Sequence, residues 1–122
     1  MRVVILGGSG FIGTALTSHL TSRGDDVVIP SRHPSTFSPS HNREFRSWDG
    51  RNAQGLAEIL EGADGVVNLL GENIAAGRWS PEQKTRIVQS RLDAGSALVA
   101  ALEMLSTRPR TLIQASATGN YG

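Results

Sequence analysis

Residues 5 to 14 read ILGGSGFIGT, and the glycines at 7, 10 and 13 stand between a short apolar run and a helical pattern. The run before them, Val3 to Leu6, is continuous rather than alternating, as expected of a parallel strand covered on both faces. After them Ile12, Leu16 and Leu20 recur at helical spacing, and Gly24 follows as a stop. Glycine at such a joint lets the backbone turn tightly and approach a pyrophosphate with no Cβ in the way. The first N–H groups of the helix and its positive dipole end favour that anion. The spacing reads as GxxGxxG through Gly7, Gly10 and Gly13, and also as GxGxxG through Gly8, Gly10 and Gly13. In its strand-loop-helix context it predicts a dinucleotide phosphate site rather than a turn that merely needs glycine.

Further along, Val27 to Ile29 form a second apolar run ended by Pro30, and Glu44 to Trp48 alternates as a short edge strand. Between them, Ser31 to Asn42 is polar and carries Pro34 and Pro39, which predicts an irregular, mobile crossover in place of a helix. A short helix is expected from Ala53 to Glu61, closed by Gly62. Val66, Val67, Leu69 and Leu70 mark a buried strand interrupted by Asn68, and Gly71 to Trp79 a loop. Ser80, Pro81 and Gln83 predict a capping box with proline at the first helical position. The helix that follows is expected to pack through Val88, Leu92, Val99, Leu102 and Leu105, extended by Ala94, Leu98 and Ala101. Thr111 to Ala115 is the last strand. The fold class is therefore α/β, a Rossmann-type doubly wound parallel sheet of strand order 3-2-1-4-5, whose ligand crevice lies at the carboxyl strand ends.

The 122 residues bound this to a single dinucleotide-binding domain, residues 1–122. A net charge of +1 with dispersed cations argues against nucleic acid, and no run approaches the roughly 20 apolar residues of a membrane span. The absence of cysteine fits a reducing compartment, and the apolar start is a strand rather than a leader, so a cytoplasmic protein is expected. His19, His33 and His41 lack metal-ligand spacing, so no metal is expected.

The end of the second strand separates the two nicotinamide cofactors. An NAD site wants a carboxylate about 20 residues past the glycines for the ribose 2′-hydroxyl, whereas an NADP site wants a cation and small polar donors. Ser31 and Arg32 stand there with no acid, so NADP is expected in preference to NAD. Asp49 belongs to the third strand end, on the adenine side.

With GGSGFIG at 7–13, SR at 31–32, NLLGENIAAGRW at 68–79, SR at 90–91 and SATGNYG at 116–122, the chain resembles the extended or atypical short-chain dehydrogenase/reductase superfamily. Within it, the chain is most similar to the NAD-dependent epimerase/dehydratase subgroup often labelled nucleoside-diphosphate-sugar epimerase. The resemblance implies that Gly7, Gly10, Phe11, Ile12 and Gly13 hold the pyrophosphate and that Ser31 and Arg32 hold the 2′-phosphate. It further implies that Leu69, Leu70 and Gly71 line the adenosine and nicotinamide ribose side, and that Arg91 reaches toward the cofactor from its helix. Glu72 either faces the site with Asn73 or only braces its loop. Ser116 either hydrogen-bonds a substrate carbonyl or hydroxyl, as the catalytic residue, or only satisfies backbone at a strand end. Asn120 lengthens the SAT to YG spacing relative to the sugar epimerases.

Hydride-transfer enzymes of this superfamily use a tyrosine with a lysine four residues later. Here Tyr121 is the one tyrosine and Lys84, on the long helix, the one lysine. A phenol with an ordinary pKa near 10 is a poor base at neutral pH without a nearby cation. The expected reading is the N-terminal part of a protein about twice this length or more, its last strands and substrate lobe lying beyond these residues. Two functions remain open: an NADP-dependent oxidoreductase or epimerase acting on a sugar nucleotide or small carbonyl or hydroxyl substrate, and a non-catalytic NADP-binding module for protein interaction or redox sensing. The long helix offers a face for a homodimer if part of it is exposed.

Overall fold

A computed structural model describes residues 1–7, 11–32, 42–69 and 80–114. The chain runs β1 (Arg2–Leu6), α1 (Phe11–Ser22), β2 (Asp26–Ser31), β3 (Arg43–Ser47), α2 (Ala53–Leu60), β4 (Gly65–Asn68), α3 (Pro81–Met104) and β5 (Thr111–Gln114). All neighbours are parallel, in the order β3-β2-β1-β4-β5. Of the crossover expected over Ser31 to Asn42, Ser31 belongs to β2 and residues 33–41 lie outside the described residues, as does the loop of 71–79.

Alternate residues of the central strands feed two separate apolar layers, which is why their sequence shows no polar alternation. Val4, Leu6, Val28 and Val66 point to one layer with Trp48, α2 and α3. Val3, Ile5, Val27, Ile29 and Val67 point to the other, against Leu20 and Leu16 of α1. The sheet is thus doubly wound, with β1 at its centre.

Four sequence expectations need correction. Ile12 is 47% exposed, and α1 instead turns Gly13, Thr17 and Leu20 inward. The i, i+4, i+8 series drifts around the helix, while 13, 17 and 20 stay on one stripe. The buried Thr17 hydroxyl is satisfied by donating to the Gly13 carbonyl at 2.7 Å. Secondly, Pro30 does not end β2, which continues to Ser31. Pairing with β1 stops at Val4 and Val28, so Pro30 falls where β3 alone continues the ladder, opposite Arg46. Thirdly, β4 closes at the buried Asn68 rather than continuing into Leu69, and Leu70 lies outside the described residues. Fourthly, α3 packs through Ala94, Ala97, Leu98 and Ala101, with Leu102 and Leu105 partly buried, while Val88, Leu92 (59% exposed) and Val99 point outward. Small side chains let a helix lie close to its neighbours, here α2 and the sheet. The outward stripe is the part of α3 on which the expected homodimer would have to form.

The ends of α3 follow its sequence. Ser80 Oγ accepts the Gln83 N–H at 3.1 Å and Gln83 Oε1 accepts the Ser80 N–H at 2.9 Å, closing the capping box. Ser80→Ala is expected to lower stability by about 0.5–2 kcal/mol, read by urea unfolding followed by circular dichroism. No change would mean that this end of the helix is held by other contacts.

Candidate cofactor site

The carboxyl ends of β1, β2 and β3 converge with the middle of α3 around a cavity of about 190 Å³. Leu6 and Gly7 come from the end of β1, Pro30, Ser31 and Arg32 from β2, Trp48 and Gly50 from beyond β3, and Ser90, Arg91 and Ala94 from α3. Gly7 has φ +81°, a backbone conformation that residues with a Cβ rarely adopt, so the chain turns sharply away from the strand there. Of the residues singled out from the sequence, the structure brings Gly7, Ser31, Arg32 and Arg91 to one cavity.

Others stand beside it. Phe11, Ile12 and Gly13 form the first turn of α1. Leu69 follows β4, donates its N–H to the Leu6 carbonyl at 2.8 Å, and packs with the α1 layer. Gly10, Leu70, Gly71, Glu72, Asn73, Ser116 and Tyr121 lie outside the described residues.

Trp48, expected at the end of the third strand on the ligand side, joins the wall as well, and Gly50 and Ser90 complete it without having been singled out from the sequence. Trp48 is buried, and its indole N–H donates to the Asn52 carbonyl at 2.9 Å. Gly50 follows Asp49 with φ +82°. Asp49 Oδ1 accepts the N–H groups of Arg51 and Asn52, both at 2.8 Å, and these two bonds hold its carboxyl below the usual carboxylate range. Its bonds therefore favour the folded turn above the ordinary carboxylate pKa and lose that effect as pH falls through the lowered value. The signal available in the sequence was the Asp-Gly pair directly after a strand.

Arg32 and Arg91 line the cavity, and Arg51 stands in a neighbouring recess that shares Arg32. Arg32 extends from β2 to Ser90, Nη2 donating to Oγ at 3.3 Å, and Arg51 Nε lies 3.5 Å from Asp93 Oδ2. Arg51 is largely exposed, so this pair contributes little to stability. Cations at the mouth, a Cβ-free turn at Gly7 and an apolar floor of Leu6, Trp48 and Ala94 fit a nucleotide with charged phosphates. Among the described residues no group of three or more histidines, aspartates or glutamates could hold a metal ion, and no helix is long and apolar enough to cross a membrane.

Comparison with known proteins agrees with this architecture. The chain is 36% identical over 122 residues to the epimerase family protein YfhF of Bacillus subtilis, covering all of this chain and 39% of the relative. It is 35% identical over 123 residues to the human epimerase family protein SDR39U1, covering 99% of this chain and 38% of that one. The crystal structure of human SDR39U1, isoform 2, with NADPH superposes with a TM-score of 0.71 at 33% identity, over 100% of this chain and 38% of that chain. Uronate dehydrogenase from Agrobacterium tumefaciens, at 22% identity and a TM-score of 0.69 over 94% of this chain and 40% of its own, shares the fold. The chain thus spans little more than a third of the length of these relatives. The model of the NAD dependent epimerase/dehydratase family matches residues 3–122, and the chain belongs to that family.

Proposed function

We propose that this chain is the NADP-binding domain of an epimerase/dehydratase-type short-chain dehydrogenase/reductase, one that acts on a sugar nucleotide or a small carbonyl or hydroxyl substrate. The observation that carries the cofactor preference is the end of β2, where Ser31 and Arg32 take the position at which an NAD site wants a carboxylate. Both border the cavity, and the Arg32 guanidinium reaches across its mouth. The NADPH of the human relative, at 33% identity, supports the same preference.

In this reading the glycine turn beginning at Gly7 receives the pyrophosphate, together with Gly10, Phe11, Ile12 and Gly13. Ser31 and Arg32 bind the 2′-phosphate, and Trp48 and Asp49 flank the adenine. Arg91 approaches the cofactor from α3, and Leu69, Leu70, Gly71 and Glu72 border its ribose side. The cofactor supplies hydride transfer when bound; Ser116 holds the substrate oxygen. The protein is cytoplasmic in this reading.

Equilibrium titration of the whole protein with NADPH and NADH tests the cofactor assignment. NADPH is expected to bind about tenfold or more tightly, as charged hydrogen bonds to one phosphate imply. Tighter binding of NADH overturns it. Hydride exchange between NADPH and a panel of sugar nucleotides and simple carbonyls tests the catalytic half, and silence across the panel with tight NADPH binding favours the non-catalytic module.

A further inference from the structure

We propose that Ser90 on α3 and Gly50 beyond β3 are positioning residues for Arg32, and that they set how strongly the site prefers a nucleotide carrying a 2′-phosphate over one without it. The inference rests on the reading of Arg32 as the 2′-phosphate ligand.

An arginine at a strand end is long and free, and a ligand that must order its side chain loses affinity to the rotamer entropy given up. Arg32 is held before any ligand arrives. Its Nη2 donates to Ser90 Oγ at 3.3 Å. Alongside, a Cβ on Gly50 would come within 3.2 Å of Nη2 and 3.6 Å of Nε, so the guanidinium lies close against the Gly50 backbone and a side chain there would push it aside by a few tenths of an ångström. The turn carrying Gly50 is itself fixed by Asp49, which accepts the N–H groups of Arg51 and Asn52.

The chemistry of the anchor matters as much as its place. A guanidinium has five N–H donors, so one bond to a serine leaves the fork open for phosphate oxygens. Serine also holds the cation without neutralising it, whereas a carboxylate there would compete with the phosphate. The acid nearby on α3, Asp93, is engaged by Arg51 at 3.5 Å and by Gln89 Nε2 at 2.9 Å. Cofactor choice is thereby shared between the end of β2 and a helix nearly 60 residues later in the chain, the separation of Arg32 and Ser90 being 58.

The test is the ratio of NADH to NADPH dissociation constants, measured by calorimetry on the whole protein and its variants. Ser90→Ala introduces the best helix former at an accessible helical position, so folding is not at risk. It is expected to weaken NADPH about three- to tenfold, the loss of one hydrogen bond to a charged group, with NADH held within about twofold. Ser90→Thr should restore the ratio, and Ser90→Ala added to Arg32→Ala should change nothing more. Gly50→Ala is expected to lower the ratio as well. Equal weakening of both nucleotides in either variant would mean a merely structural role and overturn that residue's part. An unchanged ratio in Ser90→Ala, with the ratio collapsed in Arg32→Ala, would overturn the positioning inference and leave the Arg32 reading standing. An unchanged ratio in Arg32→Ala would overturn both.

Discussion

Replacing Arg32 by alanine is expected to weaken NADPH binding about 10- to 100-fold, the range of 1.5–3 kcal/mol for hydrogen bonds between a cation and a phosphate. NADH lacks the 2′-phosphate, so its affinity should move by no more than about twofold under the same conditions. The variant should fold normally, because Arg32 stands at an open cavity mouth and its described bond is an exposed one to Ser90. Raising the salt concentration should shrink the difference between wild type and variant, since the contact is made at a solvent-accessible mouth. Calorimetric titration at two ionic strengths reads both effects. Undiminished NADPH affinity would remove the 2′-phosphate role from Arg32 and leave the preference without a carrier.

Leu56→Ala is expected to destabilise the domain by about 2–5 kcal/mol, the cost of an unfilled core cavity added to the lost transfer energy. Leu56 is 0% exposed in α2, in the layer that contains Trp48, Leu60, Val66 and Leu98. Alanine is a better helix former than leucine, so the loss would report packing rather than helix formation. Urea unfolding measures it through the midpoint, with the slope unchanged. A loss under about 1 kcal/mol would mean that α2 collapses onto the vacated space. Trp48 also forms the cavity floor, so the variant is expected to loosen nucleotide binding through the same layer.

The parts legible in the sequence were those set by short-range rules. Val3 to Leu6, Val27 to Ile29 and Val66 to Val67 announced strands covered on both faces, and their order around the glycine turn announced the topology. Ser80 to Gln83 announced a cap that the structure contains. Contacts between distant segments were not legible. The apolar series of α3 holds both Val88, Leu92 and Val99, which point outward, and Ala94, Leu98 and Ala101, which face inward, and only proximity to α2 and the sheet separates the two sets. Ser31, Arg32 and Arg91 were placed by strand ends and resemblance, while Gly50 and Ser90 as parts of the wall could be found only once β2, the turn after β3 and α3 were in space together.

Helix α3 is 24 residues long, about 36 Å at 1.5 Å per residue, and among its described side chains the buried ones run from Ala94 to Ala101. Ser90 and Arg91, on the cavity wall, stand about one turn before that buried stretch. One helix thus carries both the packed alanines and the cavity wall, so a substitution that loosens Ala94 to Ala101 against α2 would displace Ser90 and Arg91 with them.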